Sequence, residues 1–407
     1  MKSARVSICA ALVLGLAVVS MATAATAKSF TVKPGQSIQA AVDAAAAGDT
    51  INVMPGDYTE THAGTAAVRI TKPLKLLAKG APTAVKKVRI LPSPGQRDGI
   101  LVEPANPGDQ DIDGVEIKGF TVEGFSNNGI WLAHVNNFNI ENNESINNLE
   151  NGIWPTLSAN GQVKKNVAYG SQDSALWVEA SENVRVINND LHHSPTGLEI
   201  TISSGIAVEN NDVHDNTVGI GLYHPAAAGL PQTEWPDGPY GYWHIVNNYV
   251  HDNNAPNTAP PGSESSQLPA GLGMLLLGVD HVDVKKNRIE NNDFVGIAMV
   301  DWCLAVAGTD ADCGTDFSPR GFDSAPDYNH VIGNKLANNH ADSSFPHPPP
   351  DVSPLQPADI LDVGWEWVFN GGQFGTGTGN CFSGNKLIKT PLNPPPLTFP
   401  DPLPGCS

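Results

Sequence analysis

The sequence predicts an all-β fold: a right-handed, single-stranded parallel β-helix with a short N-terminal capping helix. Five similar apolar segments recur at spacings of 23, 23, 22 and 22 residues, at 128–132, 151–154, 175–178, 197–200 and 219–222. Asparagine recurs in step with them, at Asn143, Asn166, Asn189, Asn211, Asn248, Asn287, Asn334 and Asn385. A fixed period of this length is typical of a solenoid. The 407 residues include 40 Gly and 33 Pro, which favours many short strands joined by turns.

Alternation within each segment predicts which side chains enter the core. Strand side chains point to opposite faces in turn, so the first and third apolar residues of a unit face inward. The predicted interior column is Ile130, Ile153, Leu176, Leu198 and Ile220. Successive coils lie about 4.8 Å apart, so equivalent residues stack on one another. We expect two strands per coil and a structural asparagine ladder at left-handed corners, which asparagine tolerates.

The N-terminal residues are typical of a secretory signal peptide. Lys2 and Arg5 precede an apolar run at 8–19, and small residues follow at 22–24 and 25–27. We expect residues 1–27 to be removed, no transmembrane segment to remain, and the protein to be secreted or periplasmic. The expected mature chain holds 21 basic and 42 acidic residues, a net charge of about −21. That charge would repel nucleic acid and acidic glycans unless cations intervened.

Four cysteines remain after the signal peptide, and an even number in an exported protein favours disulfides. Pairing of Cys303 with Cys313 would close a short loop, and pairing of Cys381 with Cys406 would hold the C-terminal tail. A four-cysteine metal site is disfavoured because no Cys-x-x-Cys spacing occurs.

One domain is expected, a β-helix at residues 28–390. An amphipathic helix at about 36–48 is predicted to cap the first coil, since an open end would expose the core and unpaired strand edges. The proline-rich residues 391–407 are predicted to form a C-terminal strap. Long excursions interrupt the repeat at about 225–242, 253–269 and 302–329, and we expect them to leave from similar strand positions and gather around one face.

Beyond these patterns, the sequence resembles the pectin-lyase-like β-helix superfamily, and within it bacterial exported parallel β-helix repeat proteins. The resemblance rests on residues 31–39, 151–155, 219–231 and 255–262, and covers most of residues 30–340. It implies the β-helix fold. The superfamily includes pectin and pectate lyases, polygalacturonases, alginate lyases and epimerases, and also non-catalytic periplasmic proteins that help to mature the copper site of nitrous oxide reductase. Fold alone does not choose among them.

The middle residues of the repeated segments predict a binding surface. Trp131, Trp154 and Trp177 should stack outward as a flat strip about 10 Å long, and aromatic faces suit the C–H faces of sugars. Tyr223 and His224 end a strand near the strip. A strip covered by a loop or by a neighbouring chain is the alternative. The outward column continues as Glu199, Gly221, Gly273 and Ala298.

Glu179 and Glu199 form the candidate catalytic pair. Their backbones should lie roughly 8 Å apart, and paired carboxyl groups at about 5–9 Å can hydrolyse glycosides. Two ordinary exposed glutamates are the alternative. The sequence departs from the superfamily's enzymes, since it lacks the aspartate, Gly-His-Gly and Arg-x-Lys pattern of polygalacturonases and the Asp-Pro-His motif of mannuronan epimerases. Acidic residues such as Asp310, Asp312 and Asp316 leave a Ca²⁺ site open.

A column of histidines suggests a different function. His192, His214 and His251 each follow a ladder asparagine by three positions, so they should stack outward, where imidazoles could bind Cu or Zn. A surface ladder with no ligand is the alternative. The sequence thus favours a monomeric, exported protein that binds an extended polysaccharide and could cleave or modify it. The second hypothesis is a non-catalytic periplasmic accessory protein that handles a metal.

Overall fold

The structure is a computed structural model that describes residues 26–80, 87–302, 324–339, 358–363, 378–388, 398–399 and 402–406. Several sequence predictions fall outside these ranges. They are nearly all of the signal peptide, Cys303 and Cys313, most of the 302–329 excursion with its aspartates, and much of the C-terminal strap. No helix among the described residues is long and apolar enough to span a membrane.

Three long parallel sheets run side by side along the chain, which confirms the right-handed parallel β-helix. Sheet A contains Ser29–Val32, Thr50–Val53, Leu74–Ala78, Ile112–Lys118, Val135–Glu141, Gln162–Lys164, Arg185–Ile187, Ala207–Glu209, Trp243–Val246, Val282–Lys285, His330–Ile332 and Cys381–Ser383. Sheet B contains Gly56–Thr59, Val88–Leu91, Phe120–Glu123, Glu144–Ile146, Val167–Tyr169, Asp190–His192, Asp212–His214, Tyr249–His251, Arg288–Glu290, Lys335–Ala337 and Lys386–Ile388. Sheet C contains Ala66–Ile70, Asp98–Val102, Ile130–Ala133, Ile153–Thr156, Ser174–Glu179, Thr196–Thr201, Val218–Tyr223, Leu272–Leu277, Val295–Val300, Ala358–Val363 and Thr398–Phe399.

Each full coil therefore contributes three strands, and the expectation of two was wrong. The overlooked strands belong to sheet B, where eight of the eleven described strands are three residues long and five of these bury only the middle side chain, as in Asp190–His192. One buried residue gives no alternation to detect, so these strands look like turns in the sequence.

The interior column was predicted correctly. Ile130 pairs with Ile153, and the pairing continues through Leu176 and Leu198 to Ile220. All five side chains are inaccessible to solvent and belong to one core cluster that runs through the coils.

The asparagine ladder is also present, and its side chains carry the coil-to-coil contacts. The side-chain oxygen of Asn189 accepts from the backbone N–H of Asn166 at 2.9 Å and from its side-chain amide at 3.0 Å. The Asn166 amide also donates to the Ile140 carbonyl at 3.0 Å. The left-handed residue is the one before the ladder position, for example Lys165 with φ 55°. The ladder asparagine is thus selected for its hydrogen bonds and not for its backbone.

A second ladder of buried asparagines and serines was not predicted. It runs along the far end of sheet B through Asn148, Ser171, Ser194, Asn216, Asn253, Asn292 and Asn339. Its spacing is the same, but the alternation of serine with asparagine hides it in the sequence.

The capping helix is shorter than expected, at Ile38–Ala44. Ser37 caps its N-terminus, and the Glu60 carboxylate accepts from the Ile38 N–H at 2.6 Å and the Ser37 hydroxyl at 2.5 Å. Ile38 and Val42 are buried against the first coil. At the opposite end, Cys381 and Cys406 form the expected disulfide.

We expect Asn189→Ala to destabilise the protein by about 3 kcal/mol, because the N–H groups of Asn166 would lose their acceptor and the Val163 carbonyl its donor. Urea unfolding measures the loss. Asn52→Ala is the control, since the Asn52 amide bonds only Ser29 at an exposed edge; its cost should stay below about 0.5 kcal/mol. Equal losses in the two variants would contradict the role given to the ladder.

Candidate functional site

Sheet C is the only one of the three sheets whose described strands are buried on both faces over a long stretch. Ser174–Glu179, Thr196–Thr201, Val218–Tyr223, Leu272–Leu277 and Val295–Val300 are buried at every position. Strands of sheets A and B in the same coils alternate between buried and accessible residues. Residues that do not belong to the coils therefore cover the outer face of sheet C. A cavity of about 580 Å³ lies beneath these residues.

Two excursions form the cover. Residues 225–242 leave the carboxyl end of Val218–Tyr223, whereas residues 253–269 follow Tyr249–His251 of sheet B and return at the opposite edge of sheet C. The two excursions thus leave from neighbouring strand positions of the coil, and both line the same cavity, for example with Gly229 and Leu268.

One register prediction needs correction. Gly221 pairs with Leu275, and Leu275 with Ala298, so Gly273 does not belong to the outward column. The glycines of the two segments had been aligned two residues out of step. The outward column of sheet C consequently changes from aromatic to acidic to apolar, in the order Trp131, Trp154, Trp177, Glu199, Gly221, Leu275 and Ala298.

The three tryptophans stack as predicted, with ring centroids 5.0 and 5.2 Å apart and planes within 11° of parallel. Each ring covers the face of its neighbour, so both faces of Trp154 are occupied. Sugars therefore cannot stack on these faces, and only the edges of the indole rings are available to a ligand. Trp177 is buried beneath Gly229, where a Cβ would lie 2.9 Å from the indole.

Glu199 lines the cavity and is only 5% exposed. The Ser174 hydroxyl donates to its carboxyl group at 2.5 Å. Burial raises the pKa of Glu199 well above its usual value, and the negative charges of Asp173, Glu179 and Glu264 raise it further. The raised pKa favours the protonated form of this carboxyl group, which can donate a proton.

Glu179 has a different position from the one expected. It is fully buried, accepts from the Gly229 N–H at 2.8 Å and the Thr156 hydroxyl at 3.3 Å, and does not line the cavity. Burial raises the pKa of Glu179 to about 7. Neither glutamate is exposed, and the two differ in position. Glu199 faces the cavity, whereas Glu179 lies outside it and acts on Glu199 through its charge.

Asp173 was missed by the sequence analysis. It precedes the strand Ser174–Glu179, lines the cavity and accepts a hydrogen bond from the Ser265 hydroxyl. Burial raises its pKa. Glu150 and Glu264 lie at the rim, and no Lys, Arg or His occurs among the described lining residues. The single signal in the sequence is the position of Asp173 just before a repeat unit.

Tyr223 and His224 are both buried. Tyr223 lines the cavity, with its hydroxyl 3.4 Å from the Thr196 hydroxyl. His224 is fully buried, accepts from the Ala226 N–H at 3.1 Å and stacks on Trp302 at 5.5 Å. The geometry thus gives His224 a structural place beneath the 225–242 excursion.

The histidine column exists, with ring centroids 5.0 Å apart between His192 and His214 and 5.1 Å between His214 and His251. Both ring nitrogens of His214 contact carboxylates, Asp190 at 3.0 Å and Asp215 at 2.7 Å. His251 is held in the same way by Asp212 and Asp252. The imidazoles of His214 and His251, bound on both sides, present no free nitrogen to a metal, and His192 contacts the neighbouring His193 ring at 2.7 Å. Across the described ranges, no group of three or more potential ligands could hold a metal ion.

The hydrogen bonds that hold His214 and His251 between aspartates make the stability of the fold depend on pH. The hydrogen bonds to Asp190 and Asp215 raise the pKa of His214 from 6.5 to about 9. A pKa raised by folding means that this stabilisation is complete below about pH 6.5 and is lost as pH rises through 9. Relative to the native protein, His214→Gln should therefore cost about 1–2 kcal/mol at pH 6 and little at pH 9.5 in chemical unfolding. His62→Gln is the control, because the His62 ring contacts backbone atoms only; a difference independent of pH would refute the assignment.

Residues 98–230 match the family described as right handed beta helix region. No curated protein matches the sequence significantly. Among solved structures, the A-module of mannuronan C-5 epimerase AlgE4 from Azotobacter vinelandii is similar at 14% identity and TM-score 0.55, over 89% of this chain and 94% of that one. DFA-IIIase from Arthrobacter chlorophenolicus A6 without its lid is similar at 16% identity and TM-score 0.55, over 87% and 82%.

A mutant of the periplasmic alginate epimerase AlgG is similar at 13% identity and TM-score 0.52, over 89% of this chain and 73% of that one. Identities this low speak to architecture, and all three agree with the three-sheet coil described above. The chain therefore has a right-handed parallel β-helix fold.

Proposed function

We propose that the protein is an exported, carbohydrate-active enzyme that binds the end of a glycan in the covered cavity and cleaves a glycosidic bond there. The observation that carries this proposal is Glu199, a buried carboxyl group that lines the cavity beside Asp173 without a basic partner among the lining residues. The Cys381–Cys406 disulfide is consistent with an oxidising compartment. Two of the structural relatives are named as epimerases of mannuronan and alginate.

The electrostatics assign different roles to the carboxyl groups. Two neighbouring acids that cannot both ionise share their charge unequally, so one keeps a proton while the other is negative. Glu199 is fully buried and adjoins Asp173, Glu179 and Glu264, so it is the group that keeps the proton. Asp173, partly accessible and bonded by Ser265, is the candidate for the ionised partner.

In this mechanism Glu199 donates its proton to the glycosidic oxygen as the bond to the anomeric carbon breaks. The carboxylate of Asp173 stabilises the positive charge that develops on the sugar or activates the attacking water. Ser174 orients the Glu199 carboxyl group by its hydrogen bond. Glu179 is a positioning residue: its own pKa is about 7, so its negative charge opposes ionisation of Glu199 increasingly as the pH rises through that value.

The cavity and the tryptophan stack together suggest how a polysaccharide would lie. A volume of about 580 Å³ is that of a small-molecule site, so it holds a chain end and not an extended stretch. Trp177 lines the cavity, and Trp154 and Trp131 continue from it along the axis. The remainder of the glycan would follow the edges of these indoles.

Glu199→Gln should lower glycan cleavage by about 10²–10⁴-fold, because the acid would be lost while the shape is kept. Substrates are first chosen as hits of a glycan array, and cleavage is measured by release of reducing ends. Native activity should fall as pH rises through the raised pKa of Glu199. Glu182→Gln is the control, since Glu182 is exposed outside the cavity and should tolerate the change. Full activity in Glu199→Gln would remove it from the mechanism.

Trp131→Ala should weaken the binding of long glycans by about tenfold and leave binding of mono- and disaccharides unchanged, because Trp131 lies two coils from Trp177 and outside the cavity. Isothermal titration with oligosaccharides of increasing length measures the effect. Leu101→Ala, one coil further along the same column, is the matched control and should bind every length normally. An equal loss for short and long ligands would show that the stack does not extend the site.

A further inference from the structure

The cavity has two chemically different ends. One end, here called the acid end, is formed by Glu199 and Asp173 with Glu150 and Glu264 at the rim. The other, here called the apolar end, is formed by Leu275, Leu277, Ala298, Val300 and Trp302. Sugar hydroxyl groups need hydrogen-bonding partners when they leave water, and the side chains of the apolar end, other than the Trp302 indole N–H, offer none.

The apolar end is not part of the interior core. Its residues point outward from sheet C and form a cluster separate from the one that fills the coils. Inside the coils, apolar packing stabilises the fold. Outside them, these side chains pack on one another, and the wall that they turn to the cavity has contacts left to make with an apolar group.

The register sets the dimensions of a fitting ligand. Glu199 pairs with Gly221, Gly221 with Leu275 and Leu275 with Ala298, so three coil steps separate the ends, about 14 Å. Between the ends lies Gly221, and the Tyr223 ring occupies the space above it, where a Cβ would lie 2.2 Å from the Tyr223 hydroxyl. Leu275 and Ala298 thus lie two and three coil steps from Glu199, about 10 and 14 Å beyond a sugar bound over it.

We propose that the natural ligand is a glycoside with an extended apolar substituent, its sugar at the acid end and its acyl, alkyl or aryl group at the apolar end. This inference rests on the proposed function and specifies its substrate class. Sugar hydroxyl groups donate hydrogen bonds to the carboxyl groups, and the substituent takes the surface that sugar cannot use. Neither part of the ligand alone fills the cavity.

The test is binding of matched methyl, butyl, hexyl and octyl glycosides of glucose, galactose, mannose and N-acetylglucosamine, below their micelle concentrations. The full chain is titrated by calorimetry, with the corresponding alkanols as controls. Affinity should rise about fourfold per added methylene group until the apolar end is filled, and the alkanols should bind far more weakly than the octyl glycosides.

Leu275→Ala and Leu101→Ala form a matched pair for this test. Both leucines belong to the outward column of sheet C and are 6% and 5% exposed, but only Leu275 lines the cavity. Leu275→Ala should lower octyl glycoside affinity about tenfold without affecting the methyl glycoside. Leu101→Ala should bind the methyl and octyl glycosides as the native protein does. This variant measures how far the loss of a buried leucine side chain outside the cavity changes binding.

The outcomes separate this inference from the proposed function. Methyl and octyl glycosides that bind equally well would overturn the apolar substituent and leave a carbohydrate site standing. Alkanols that bind as tightly as the octyl glycosides would show an apolar site without sugar recognition and overturn both. Absence of binding by every glycoside, as from a cavity filled by another part of the protein, would also overturn the inference.

Discussion

In-register stacking of coils is the constraint on which the rest of this structure depends. Asn189 shows how it is maintained: its oxygen accepts twice from Asn166, and its amide donates to Val163 and Asn211. Every polar atom of that buried side chain is thereby used along the axis. A ladder of this kind tolerates no shift of a coil, because a slip would leave buried donors and acceptors unpaired.

The same register forces like residues into contact on the outer faces. Tryptophan stacks on tryptophan and histidine on histidine at about 5 Å because the repeat places them there. Where such columns are charged, sheets A and B provide opposite charges. Glu141 lies between Lys118 at 3.2 Å and Lys164 at 3.8 Å, and the histidines lie between aspartates.

In sheet C, one group of acidic residues lacks such oppositely charged partners. Glu199, Glu179 and Asp173 are gathered there without a basic residue in the described cavity wall, and burial raises the pKa of each. Burial of acids without a basic partner costs stability. That cost, beside an apolar wall under two excursions, is the reason why we propose the covered face of sheet C as the functional site.

The sequence by itself determined the solenoid, its period, the interior column, the asparagine ladder and the tryptophan stack, because an exact repeat converts sequence spacing directly into spatial neighbours. Only the tertiary structure decided what the excursions do. Residues 225–242 bury Glu179, residues 253–269 bring Ser265 to Asp173, and a register two residues from the expected one places Leu275 beside Gly221. Such segments obey no repeat, and their contacts arise between residues far apart in the chain. Solvent access to each carboxyl group, and with it the chemistry of the site, follows from those contacts.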